Sequence, residues 1–281
     1  QHNTTQHNTM VRFIVLALFN HSDLYDAFAR ENSAYLNAFQ KRRPDIAANI
    51  RFYYVSFVPD DTAGISGDEV VVDENAHRIT MRGTESWCPG LLIKTMRALA
   101  HLNDASKYSF KYDYVIRTNA SSFINLEGFY NELTAFVSSH NNTRAEYKYV
   151  TMGSEYTVTS KNDSYGLNDQ TMQVYSGTTF LHGVCIVMNA ALVALLCENT
   201  HCINYLVVDD VELGRVFEAL AESRVLCPHG IFKHDLKGRI LFMGNAHDPL
   251  VYCNNRFKHD RSIDLRNFND VATRFIRALI E

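Results

Sequence analysis

Chain-breaking residues are scarce in this 281-residue sequence, which has 5 prolines and 13 glycines. No linker rich in Pro, Gly or Ser divides it, and collagen-like or low-complexity chains are excluded. Basic charge is not in excess. Lys and Arg number 27 against 31 Asp and Glu, a net charge of −4, which argues against a strong footprint for nucleic acid while leaving room for a local basic patch. The apolar run Met10–Phe19 is too short to span a bilayer and has no small-residue cleavage site, so it reads as a buried strand, with no integral membrane segment. The six cysteines (88, 185, 197, 202, 227, 253) form no Cys-x-x-Cys, the spacing of a zinc knuckle. Cys185 is expected in the core; Cys197 and Cys202 are close enough to bridge or to stay free. Gly-x-Gly-x-x-Gly after the first strand, Gly-x4-Gly-Lys-Ser/Thr, Gly-x-Ser-x-Gly and His-Glu-x-x-His are all missing. Their absence sets aside a dinucleotide-binding Rossmann domain, a phosphate loop, a serine-hydrolase elbow and a zincin. Chemistry is left to carboxylates, amides and scattered basic groups.

What is present is a sizeable apolar fraction, 46%, enough for one large domain. Residues 1–9 repeat Gln-His-Asn-Thr and have nothing to bury, so they read as a disordered arm or an appended tail ahead of Met10. Strand and helix signals then alternate: strands over 11–19, 50–58, 79–81, 112–117, from 150, and over 179–188. Helices are expected over 22–43, 90–102, 126–137, 190–197, 211–221 and 262–280. Acidic residues 59–77 and polar residues 160–176 read as loops. Alternation of this kind implies crossovers and a mostly parallel sheet in a single α/β domain, with ligands beyond the carboxyl ends of the strands. Three such ends stand out: Phe19-Asn20, Arg117-Thr118-Asn119 and Val208-Asp209-Asp210.

The most informative stretch is Tyr112-Asp-Tyr-Val-Ile-Arg117-Thr118-Asn119-Ala120-Ser121-Ser-Phe123, a hydrophobic strand ending abruptly in small polar residues. It resembles the Tyr-Asp-Tyr-Val-Leu-Lys-Thr-Asp-Asp-Asp-Thr-Phe segment of the β-1,3-galactosyltransferases and their Fringe relatives. Further segments resemble the same family in the same order. They are Ala29-Arg30-Glu31-Asn32, Glu85-Ser-Trp-Cys-Pro-Gly-Leu-Leu-Ile-Lys94-Thr95, Phe180-Leu-His182-Gly183-Val-Cys-Ile-Val-Met188 and Val208-Asp209-Asp210-Val-Glu-Leu-Gly214. The resemblance runs from about residue 11 to 235. It implies a GT-A-like fold, a Rossmann-type mostly parallel sheet flanked by helices, with a nucleotide-binding half over about 10–123 and an acceptor-binding half over about 124–281. It also implies a hexosyl- or pentosyltransferase that moves a sugar with inversion from a nucleotide sugar, UDP by resemblance, to a glycan hydroxyl.

Inverting transfer needs one carboxylate to take the acceptor proton. Asp210 is the candidate and Asp209 its rival, with one of the pair expected to cap the helix they begin. By resemblance Phe19, Asn20, Arg30, Lys94, Arg117, Thr118, Asn119 and Ser121 face the donor, and His182 and Gly183 the acceptor. The family holds a divalent metal with an Asp-x-Asp motif. Here Asn119 and Ser121 replace the outer carboxylates, so no metal is expected to be required, and Mn or Mg to have a modest effect. The basic run His229–Arg239, with Lys233 and His234, is expected to supply positive charge instead. Two readings compete. His-Asp pairs at 234–235, 247–248 and 259–260 suit a metal-dependent hydrolase, and loss of Asp-x-Asp suits an inactive sugar-binding module. Asn20 and Asn119 begin glycosylation sequons at strand ends expected to line the site. A glycan there would block it, which favours a cytoplasmic protein, although an anchor removed ahead of residue 1 would leave the same sequence.

Overall fold

The computed structural model describes residues 10–59, 65–140, 148–159, 175–223, 230–236, 239–242, 249–253 and 261–280. The first nine residues, the His247-Asp248 and His259-Asp260 pairs, His229, Lys237 and most of the 160–176 loop lie outside them.

An eight-stranded sheet runs in the order β3-β4-β2-β1-β5-β8-β7-β9. Its centre is β1 (Phe13–Leu18), buried at all six positions, which is why the sequence there is continuously apolar rather than alternating. Each such side chain is worth roughly 1.5–3 kcal/mol on burial, so a charge at Val15 would be ruinous. β1 pairs in parallel with β2 (Ile50–Val58) and with β5 (Tyr114–Asn119), and β2 with β4 (Arg78–Arg82). β8 (Thr179–Asn189) is antiparallel to both β5 and β7 (Tyr149–Thr157), and β9 (Ile231–Asp235) closes the edge parallel to β7. β6 (Ser122–Ile124), β10 (Ile240–Phe242) and β11 (Val251–Cys253) make a separate three-stranded sheet.

Helices cover both faces. α1 (Asp23–Arg42) and α7 (Arg261–Ile280) bury Phe28, Tyr35, Phe39, Phe268 and Val271 against one. α3 (Gly90–Asn103), α5 (Ala190–Glu198) and α6 (Asp209–Glu222) bury Leu92, Leu99, Leu192, Leu213 and Phe217 against the other. Short α2 (Pro44–Ala47) and α4 (Leu126–His140) complete the helices used below. This mixed α/β, mostly parallel single domain has the GT-A-like form the sequence led us to expect.

Several elements differ from expectation. β3 (Val70–Asp73) lies inside the expected 59–77 loop, as a short edge strand antiparallel to β4. β6 and β9 to β11 were not foreseen. α6 starts two residues early, which places Asp209 and Asp210 in its first turn rather than ahead of it. Cys185 is buried and both Cys197 and Cys202 are free.

Candidate active site

A cavity of about 320 Å³ opens at the carboxyl ends of β1 and β5, lined among others by Phe19, Asn20, Tyr25, Glu85, Trp87, Lys94 and Asn119. It is there because parallel strands end in step while the chain turns away into helices. Lys94 comes from the first turns of α3 and its side chain is 1% exposed. Its Nζ donates to the Phe19 carbonyl and to Glu85 Oε2, each at 2.7 Å, and Glu85 Oε1 accepts the Phe57 amide at 3.1 Å. Burial pulls the Lys94 ammonium pKa down and Glu85 opposes that pull. A lysine so enclosed needs such a partner, since an unpaired one would shed its proton. A larger cavity, about 500 Å³, lies between α1 and the start of β2, at the opposite end of that strand. There Arg51 is already paired with Glu74 and stacked on Phe110. The smaller cavity is the one linked to the two aspartates, through Asn119 and Arg117.

Asp209 and Asp210 divide two tasks. The N-cap position, Val208, offers no side-chain cap. Asp210 Oδ1 accepts the Val211 amide, a helix-terminal donor without an intrahelical partner, and its Oδ2 accepts the Gly183 amide from β8, both at 3.0 Å. Asp209 Oδ2 takes Arg117 Nη2 at 2.5 Å, a pair whose side chains are 1% and 2% exposed. Arg117 Nη1 donates to Asn119 Oδ1 at 3.2 Å, and its Nε is buried with no partner among the described residues. Gly183 fits this packing closely: a Cβ there would stand 2.9 Å from Arg117 Nη1 and 3.1 Å from Asp210 Oδ2, so one of the two side chains would have to shift. Burial, and next the charge of Asp209, push the Asp210 carboxyl up to about 6, against the pull of Arg117 and the two amides. The result is a carboxylate ionised at neutral pH yet basic enough to accept a proton.

The other expected residues are not all brought here. Phe19, Asn20, Lys94 and Asn119 line the cavity, and Arg117 and Gly183 adjoin Asp209 and Asp210. Arg30 is exposed on α1 and does not line the cavity. Thr118 is fully buried and donates to the Val184 carbonyl at 2.7 Å, a satisfied core hydroxyl. Ser121 is nearly buried in the turn between β5 and β6. His182 accepts the Val184 amide on Nδ1 at 3.2 Å and rests against Tyr156.

The described residues of the expected basic run, Lys233, His234 and Arg239, do not gather in one place. Lys233 and His234 are adjacent on a strand, so they face opposite ways. Lys233 donates to Thr179 Oγ1 at 2.9 Å and lies 3.7 Å from Glu155. His234 packs on Phe136 and stands 4.0 Å from Glu132, to which Arg239 also binds.

Three residues escaped the sequence reading. Glu85 and Trp87 stood in the segment matched to the family yet were not assigned to the site. Glu212, fully buried two residues beyond Asp210, accepts Tyr175 Oη at 2.6 Å and the Asn204 amide at 2.7 Å, and pairs with Arg215. It ties the segment before Asp209 to the helix. A third acid in Asp-Asp-Val-Glu was the available signal. The described residues hold no group of three or more His, Cys, Asp or Glu placed to bind a metal.

Residues 91–228 match the family model described as Galactosyltransferase. The chain is a glycosyltransferase. The match runs from α3 past α6 and so carries Lys94, Arg117, Asn119, Gly183, Asp209 and Asp210 in one unit. No curated protein matches the glycosyltransferase. No helix among the described residues is long and apolar enough to cross a membrane.

Proposed function

We propose that the glycosyltransferase moves a sugar from a nucleotide diphosphate, UDP by resemblance, to a glycan hydroxyl with inversion, and that Asp210 is the general base. The observation that carries this reading is Asp210 itself. It is nearly buried and oriented by two backbone amides, with its carboxyl raised to about 6 beside a cavity that ends at Asn119. The acceptor oxygen gives its proton to Asp210 as it bonds to the anomeric carbon, and the bond from that carbon to the diphosphate oxygen breaks with the electrons leaving on the nucleotide. One base and one displacement invert the centre. The donor occupies the cavity against Phe19, Asn20, Lys94 and Asn119, in the half from about 10 to 123, and the acceptor approaches from His182 and Gly183 in the half from about 124 to 281.

The donor set does not suit a divalent cation. Asn119 and Ser121 bring neutral oxygens, Asn119 Oδ1 already accepts from Arg117, and Asp209 is committed to the same guanidinium. Hard cations prefer anionic oxygen, so the positive charge that receives the leaving diphosphate is assigned to Arg117 and Lys94. Glycans on Asn20 or Asn119 would fill the cavity, which supports a cytoplasmic protein. Incubation with UDP-galactose, UDP-xylose and other nucleotide sugars, with released nucleotide measured and the new anomeric coupling constant read by NMR, tests the reading. A β product from an α-linked donor is expected; a retained configuration contradicts it.

A further inference from the structure

Met10, Trp87, Tyr156, Leu206 and Ile280 are the exposed large apolar side chains among the described residues. Met10 and Ile280 stand at the two ends of the described chain. The other three lie on segments that pack near the residues flanking Asp209 and Asp210. Trp87 lines the donor cavity, and Cys88 beside it lies 4.0 Å from the Tyr205 carbonyl, next to Leu206. Tyr156 comes from the other side. Its ring centroid is 6.1 Å from Phe180, at an interplanar angle of 33°, and 5.3 Å from His182. Phe180 packs with Val208 and Val211, which flank the two aspartates, and His182 precedes Gly183, whose amide holds Asp210.

We propose, building on the glycosyl-transfer reading, that Tyr156 is the platform on which the pyranose ring of the acceptor stacks. A pyranose has an apolar C–H face and a rim of hydroxyls. The face of a phenol ring is electron-rich and attracts polarised C–H groups. Tyr156 is 37% exposed, so its ring is accessible, and its contacts with Phe180 and His182 hold it in place before the acceptor arrives. Trp87 belongs to the donor cavity, which leaves Tyr156, among the described residues, as the exposed aromatic surface on the His182–Gly183 side.

Saturation-transfer NMR with methyl β-D-galactopyranoside and methyl β-D-glucopyranoside tests this directly, with or without turnover. Transfer to the ring C–H protons is expected for the wild type and for Tyr156→Phe, and its loss for Tyr156→Ala. In turnover with the best sugar nucleotide, Tyr156→Ala should raise the acceptor KM about tenfold and the donor KM by less than about twofold, the scale of one lost ring contact. An unchanged acceptor KM, equal rises in both constants, or a Ser/Thr peptide glycosylated in preference to every methyl glycoside would overturn the platform while leaving glycosyl transfer standing. A wild type that releases nucleotide from no sugar donor would instead overturn the functional reading, and the NMR titration would still decide the platform.

Discussion

Two strands carry basic residues that the sequence assigned to the donor. In β5, near the centre of the sheet, Arg117 is 1% exposed and its two terminal nitrogens are held by Asn119 and Asp209. In β9, at the edge, Lys233 and His234 are partly exposed, face opposite ways and pair with Glu155 and Glu132. A central strand ends among its neighbours, so side chains from β5, β8 and α6 converge. An edge strand has one neighbour, and alternation sends successive residues apart. Charge density along a sequence therefore marks a site only where the topology gathers it.

The largest expected effect comes from the central group. Asp210→Asn should keep the fold and nucleotide affinity while lowering turnover roughly 10²–10⁴-fold, the usual range for a positioned base. Near wild-type turnover in that variant, with loss in Asp209→Asn, would move the base to Asp209. Next comes stability. Arg117→Met or Asp209→Asn alone leaves a buried charge without its partner and should cost about 3–5 kcal/mol in chemical denaturation. Arg117→Met combined with Asp209→Leu should cost less than the sum of the two single variants. Equal additivity would show that the pair does not interact as described.

A smaller effect is expected on metal removal. The glycosyltransferase should keep substantial activity in excess EDTA, and Mn²⁺ should add a modest gain at most, because the protein offers the cation no free carboxylate at 119–121. Complete loss in EDTA, restored by Mn²⁺, would show that another acid has taken the ligand role. The smallest effects belong to the edge. Lys233→Ala and His234→Ala each remove a partly exposed pair worth about 0–1 kcal/mol, so turnover should change little. A large fall in kcat for either would return the edge strand to the site.

Much of the central site was legible in the sequence. The apolar run ending at Phe19 and the one ending at Arg117-Thr118-Asn119 are strands that stop in polar residues, and both ends line or adjoin the cavity. The Arg117–Asp209 pair was not legible, because its members are 92 residues apart and only the crossover of α6 onto β8 brings them together. Lys94 was assigned to the donor side, but its burial was not legible, because a buried lysine depends on distant partners, here the Phe19 carbonyl and Glu85. β3 was hidden among acids because a short, half-exposed edge strand needs little apolar sequence. Arg30 followed the family motif to a position that α1 turns outward.

The division of labour between the two aspartates is tested most directly by the pH dependence of kcat/KM. Asp210 works as a base only when ionised, and its carboxyl is raised to about 6, so activity should be full above that value and be lost as pH falls through it. The residual activity of Asp210→Asn should lack that acid limb. A wild-type profile flat to well below pH 6, or an acid limb that survives unchanged in Asp210→Asn, would contradict the account.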